Sequence, residues 1–169
     1  MQPTLRRDYR PLLDRLAPRP GQTRHQAMSS LCDALWDAFA AQGLSWVGFY
    51  LPDPADPAAL LLGPRRDKPA CSPIGLHGVC GRGLTTRRAV VVRDVAVMGP
   101  SYIACDPRDR SELVAPCFNP DGSCWGVIDL DSFETGAFDQ ADALSVLRLL
   151  RHTGLSAHQD DAAVGTDLL

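Results

Sequence analysis

Helix-period patterning stands near the two ends of this chain, and what lies between is short, strand-like or irregular. Over residues 24–41, Ala27, Met28, Leu31, Cys32, Leu35, Trp36, Phe39 and Ala40 recur at three- and four-residue steps and give one apolar face. Thr23 can cap that helix, and Gly43 can end it in a left-handed turn. A closing helix starts near Asp139 and reaches about His152, with Leu144, Leu147 and Leu150 as core candidates. A short helix is expected over 9–16, closed by Pro18 and Pro20. Residues 45–51 alternate, placing Trp46, Gly48 and Tyr50 on one face and Val47, Phe49 and Leu51 on the other. Short strands follow at 60–62 and 89–92, and 113–118 and 124–130 flank the turn Asn119-Pro-Asp-Gly122 as a hairpin. The stretches 63–83 and 94–109 read as irregular, and long loops inside a compact domain are usually functional. This order predicts an α+β fold: one domain with a central, mostly antiparallel sheet covered by N- and C-terminal helices. Residues 1–22 read as an N-terminal extension with a short helix, 23–158 as the domain, and 159–169 as a mobile C-terminal tail.

The chain has 169 residues, enough for one domain with a real core, and its 45% hydrophobic and 22% charged fractions are those of a soluble globular protein. A net charge of −3 provides no broad basic field, so neither nucleic acid nor an anionic membrane is expected as a partner. No apolar run approaches the roughly 20 residues of a membrane span. The basic first ten residues lack a signal peptide's apolar stretch, so a cytoplasmic location is expected, where disulfides tend to be transient and catalytic.

Against that background the cysteines at 71, 80 and 105 stand out. They sit in segments rich in Gly, Pro or polar residues, where a thiol near solvent is useful mainly if it reacts. Their spacings, nine and then twenty-five residues, are not those of a zinc ribbon. His77 with Cys71 and Cys80 leaves a zinc site one ligand short, so no metal or cofactor is expected. The pattern reads as a thiol redox site with a nucleophile and one or two resolving partners. Cys32 on its helical face, and Cys117 and Cys124 on the hairpin, read as packing residues.

The pieces Trp46-Val-Gly-Phe-Tyr-Leu51, Leu62-Gly-Pro64, Lys68-Pro-Ala-Cys71, Gly78-Val-Cys-Gly81, Asp94-Val95, Ile103-Ala-Cys-Asp106, Ser111-Glu112 and Gly126-Val-Ile-Asp-Leu-Asp-Ser132 occur in one order across about half the chain. In that order they resemble the free methionine-(R)-sulfoxide reductases, a branch of the GAF-domain superfamily. The resemblance implies a GAF domain over 23–158 and the reduction of free methionine sulfoxide, with thioredoxin as reductant. That chemistry needs a low-pKa cysteine, a nearby acid and an apolar slot for the S-methyl group. By position, Cys105 is the implied nucleophile, Cys71 the first resolving partner and Cys80 a second. Glu112 is implied to contact the sulfoxide oxygen, Asp129 and Asp131 to form an acidic pair behind it, and Trp46 and Tyr50 to wall the methylthio group. Asp129 and Asp131 are two apart on a strand and so share a face; three crowded carboxyl groups should raise at least one pKa.

The loop Gly63-Pro-Arg-Arg-Asp-Lys68 departs from the family pattern by losing an aromatic and gaining charge, and Ser101-Tyr102 stands where Gly-His is usual. The rival expectation is a non-catalytic GAF sensor of small ligands or of thiol oxidation. A homodimer through the terminal helices stays open.

Overall fold

Residues 7–157 and 164–169 are described by the structure, a computed structural model of the chain. Thr23 opens α2 (Arg24–Phe39) with a reciprocal capping box. Its hydroxyl accepts from Gln26 N, and the Gln26 side chain accepts from Thr23 N. Two otherwise orphaned N–H groups are satisfied in this way. A 3-10 turn over Ala40–Gln42 then ends at Gly43, whose φ of 91° a side chain would resist. The short α1 (Arg10–Arg15) precedes α2 and packs into the same core through Leu12, flanked by Tyr9 and Leu16. A second capping box, between Asp139 and Asp142, opens α4 (Gln140–His152). Leu147 and Leu150 of α4 are buried as expected, whereas Leu144 is 39% exposed. Each helical residue turns about 100° from the last, and the buried stripe through Ala143, Val146, Leu147 and Leu150 turns Leu144 outward.

Among the described residues seven strands form one sheet: β1 (Trp46–Pro52), β2 (Ala59–Arg66), β3 (Ile74–Gly75), β4 (Ala89–Val92), β5 (Ser111–Phe118), β6 (Cys124–Ser132) and β7 (Thr166–Leu168). Their spatial order is β3-β2-β1-β6-β5-β4-β7, and every neighbouring pair is antiparallel except β4 with β7. This is the α+β architecture expected from the sequence. One sheet face carries Val47, Phe49, Leu113, Ile128 and Leu130 into a core shared with Leu31, Leu35 and Phe39 of α2 and Leu150 of α4. The other face carries Trp46, Tyr50, Val90, Val92, Val114 and Val127, covered by the loops and by α3 (Val79–Thr86). Burying each large apolar side chain contributes about 1.5–3 kcal/mol, and β5 is buried along its whole length.

Two expectations are corrected. The stretch 63–83 is not irregular throughout: β2 extends to Arg66, β3 follows, and α3 carries Cys80. Glycine disfavours helix by about 1 kcal/mol per residue, which hides α3 from a reading of propensity. The close packing nevertheless demands it. A Cβ at Gly81 would lie 2.0 Å from the Leu76 carbonyl oxygen, and one at Gly83 would lie 2.7 Å from Val114 Cγ1. The tail is the second correction. Residues 158–163 lie outside the described ones, but 164–169 return to the sheet rather than trailing free. Ala89 N donates to Gly165 O at 3.1 Å and Leu169 N to Val91 O at 2.8 Å, so β7 pairs the edge that β4 would otherwise expose. Among the described residues no helix is long and apolar enough to cross a membrane.

Candidate active site

Strand register brings the acidic and aromatic candidates together. Across β1 and β6, Trp46 faces Asp131 and Gly48 faces Asp129; across β5 and β6, Glu112 faces Asp131 and Val114 faces Asp129. Directly opposed residues share a sheet face at close range, so three neighbouring strands project Trp46, Tyr50, Glu112, Asp129 and Asp131 into one space. Gly48 makes room for the indole, since a Cβ there would lie 2.3 Å from the Trp46 ring. Above this floor sit Cys80 from α3 and Cys105 from the loop before β5, and all seven residues line a single pocket. A second hollow adjoins it, sharing Trp46, Cys105, Asp109 and Asp131 and reaching out to Lys68 and Phe133.

Cys71 is exposed at the edge of this pocket rather than within it. The floor nevertheless ties its segment down: Trp46 Nε1 donates to Lys68 O at 2.8 Å, and the Tyr50 hydroxyl donates to Cys71 O at 2.9 Å. Lys68 in turn reaches Asp106, next to Cys105, at 2.5 Å, and Arg108 grips the same carboxylate at 2.8 Å. Both cations lie over the Phe133 ring. The Cys71 and Cys105 segments are thus joined through Asp106, whose carboxyl is held well below its usual range by hydrogen bonds from Arg108 and Lys68. All six cysteines are free thiols.

Proton affinity across the pocket runs high. Among the described residues Glu112, Asp129 and Asp131 make no ion pair. Burial pushes the Glu112 carboxyl well up, and the neighbouring Asp129 and Asp131 push it further. Burial also lifts Asp131 strongly, with Asp129 adding to it. Asp129 rises to about 7 through burial, opposed by hydrogen bonds from Cys80 and with Glu112. Asp109, raised to about 6 by burial and by Asp106, joins the set. Asp129 and Asp109 thus hold their protons toward neutrality, and with the raised Glu112 and Asp131 beside them they act as one system rather than as separate sites.

The thiols differ from expectation. Cys80 is 4% exposed on α3 rather than near solvent in a loop, and its Sγ donates to Asp129 Oδ2 at 3.4 Å. Cys105 is not a low-pKa cysteine in this arrangement: burial, and then hydrogen bonding with the Cys71 thiol, push it up to about 12. The Lys68 ammonium is engaged by Asp106, and the charged side chains that line the pocket are all acids. Asp109 and Tyr102 line the pocket without having been singled out from the sequence. Asp109 lies in the run Asp106-Pro-Arg-Asp-Arg110, which reads as a solvated turn, and spacing alone carries no signal for it.

Residues 23–155 match the model of the GAF domain family. A free methionine-R-sulfoxide reductase of Saccharomyces cerevisiae is 36% identical over 118 residues, 68% of this chain and 65% of the relative. That match spans just under two thirds of the yeast protein's length. Among solved structures, fRMsr of Staphylococcus aureus in complex with substrate superposes with a TM-score of 0.79 at 30% identity, covering 92% of this chain and 100% of that one. The free methionine-R-sulfoxide reductase of Neisseria meningitidis, also in complex with its substrate, gives 0.72 at 34% identity, covering 86% and 81%.

Proposed function

The chain belongs to the GAF-domain family, and from that premise we propose that it reduces free methionine-(R)-sulfoxide to methionine, with Cys105 as nucleophile. One observation carries the reading: Cys105, three proton-holding carboxyl groups and two aromatic side chains line the same pocket. The names of its relatives in yeast and Neisseria supply the substrate class.

The proposed reaction starts with the sulfoxide's methyl group against Trp46 and Tyr50 and its oxygen toward Glu112. Attack of the Cys105 sulfur on the sulfoxide sulfur, with a proton passing from Glu112 to the oxygen, transfers that oxygen to cysteine. The products are methionine and a Cys105 sulfenic acid. Condensation with the Cys71 thiol forms a disulfide and releases water, and a dithiol such as thioredoxin returns both thiols. Cys80, which lines the same pocket, takes part as a second resolving thiol. Summed over the cycle, one sulfoxide and two thiols give one thioether, one disulfide and one water.

The raised pKa of Cys105 has a counterpart in the substrate. A free amino acid brings an ammonium group, and a positive charge placed beside Asp109, Asp129 and Asp131 favours ionisation of every acid around it, Cys105 included. A methionine sulfoxide within a peptide has no such charge, so the acidic pocket favours the free amino acid. The test is turnover of separated free epimers with dithiothreitol by wild type and Cys105→Ser. The R epimer alone should be consumed, and only by wild type. Equal turnover by both proteins would remove Cys105 from its role, and no turnover of either epimer by wild type would favour a sensory module instead.

A further inference from the structure

Three ligating groups of two chemical kinds meet at the back of the pocket. The thiol of Cys80 and the carboxyl groups of Glu112 and Asp129 each offer one atom, and these three atoms all lie within 4.8 Å of one another. Each comes from a different rigid element, α3, β5 and β6, so the cluster is held by the packed sheet and helix rather than by a loop. All three residues are buried, with Glu112 at 5% and Asp129 at 6% exposure.

A second feature points to a ligand. Asp129 Oδ2 accepts from Cys80, but its other oxygen, Oδ1, is buried without a fixed hydrogen-bond donor among the described residues. A carboxylate oxygen at such depth is expensive to leave unpaired; the proton that Glu112 shares with Asp129 meets the need in the metal-free protein, and a cation drawn in by both carboxyl groups would replace that proton. No described Lys or Arg fills that role: Lys68 is engaged by Asp106, and Arg82 is turned to Asp167 at 3.3 Å.

We propose that Cys80, Glu112 and Asp129 form a binding site for a thiophilic divalent cation, with zinc as its ligand, and that zinc bound there shuts the pocket to sulfoxide. One edge of the cluster has the length that zinc requires. Bond lengths of about 2.3 Å to sulfur and about 2.0 Å to oxygen put tetrahedral S···O edges near 3.5 Å. The observed Cys80 Sγ to Asp129 Oδ2 separation is 3.4 Å. Mixed sulfur and carboxylate ligation selects zinc or cobalt over magnesium and calcium, which need a nearly all-oxygen shell. On binding, the metal displaces the Cys80 thiol proton and the protons held by the carboxyl groups, and no electron is transferred.

The inhibition half of this proposal rests on the reductase reading, because it ties up Glu112 and Cys80; the binding half stands without it. The test uses the full, fully reduced chain with cobalt(II) as an optical stand-in for zinc. One equivalent should give a thiolate-to-cobalt charge-transfer band in the near ultraviolet, bleached by zinc and untouched by magnesium or calcium. The band should persist in Cys71→Ser and vanish in Cys80→Ser. Glu112→Gln, which keeps the thiol, should weaken cobalt binding roughly tenfold or more. A band that survives in Cys80→Ser, an affinity unchanged in Glu112→Gln, or the absence of a band in folded wild type would each overturn the site. In the turnover assay, zinc should inhibit competitively with sulfoxide and a chelator should restore the rate. Turnover unaffected by zinc at saturating cobalt-site occupancy would overturn the inhibition. A protein that turns over neither epimer but shows the cobalt band would keep the metal site and lose the reductase reading.

Discussion

Acids that are buried without cations make an unusual demand on stability, and Asp129 allows its size to be worked out. Its carboxyl titrates at about 7 in the fold against an ordinary value of 3.8, so the folded chain holds a proton there that the unfolded chain has released. Stability changes with pH in proportion to the protons bound by the unfolded state minus those bound by the native state. That difference is negative between the two values, so the contribution of Asp129 is fully present below about pH 4 and is lost as pH rises through 7. A shift of about 3 units corresponds to roughly 4 kcal/mol, at a little over 1 kcal/mol per pH unit. Asp109 acts in the same sense up to about pH 6, and Glu112 and Asp131, whose carboxyl groups burial also raises, act in that sense too. The depressed carboxyl groups of Asp8, Asp106, Asp121 and Asp167 act oppositely, but only as pH falls below the ordinary Asp range. Urea unfolding with a chelator at about pH 5, 6 and 7 should therefore show stability falling as pH rises, with a midpoint that moves down. Asp129→Asn should flatten that slope by roughly 1 kcal/mol per pH unit and gain on wild type toward pH 7. Stability that is level or rising over this range, or an Asp129→Asn slope equal to that of wild type, would refute the reasoning.

Other perturbations separate packing from chemistry. Gly81→Ala puts a methyl group against the Leu76 carbonyl and should destabilise the fold by about 1–3 kcal/mol or more, read as a lower urea midpoint with an unchanged slope. Lys68→Ala unties the Cys71 segment from Asp106, so Cys105 should react faster with iodoacetamide, while wild type approaches the same rate in high salt. Removing residues 164–169 exposes the β4 edge and takes Val164 from the core, and should lower stability by about 2 kcal/mol or more and promote association in light scattering. Tyr50→Phe removes the hydroxyl that holds Cys71 O and should slow disulfide formation after a single turnover more than it slows methionine release.

Elements whose periodicity matches their burial were legible from the residues alone. The face of α2 and the split of β1 into Trp46 and Tyr50 on one side and Val47 and Phe49 on the other follow directly from spacing. Legibility failed where packing overrides propensity. In α3, glycines that weaken a helix are the residues that let it pack closely, Gly83 against Val114 of β5 and Gly81 against the Leu76 backbone, and Cys80 is buried with them. The same limit applies to β7, a polar segment ordered by the unpaired edge of a strand some seventy residues earlier.

The division at the site is physical. The sequence by itself determined that Asp129 and Asp131 share a strand face, because alternation is a local property of the backbone. Only the tertiary structure decided their electrostatics. Setting Glu112 across from Asp131, turning Cys80 onto Asp129 and spending Lys68 on Asp106 removes water and cations from the acids together. That arrangement raises their proton affinity and that of Cys105, since charge in a buried space depends on what surrounds it and not on what adjoins it along the chain.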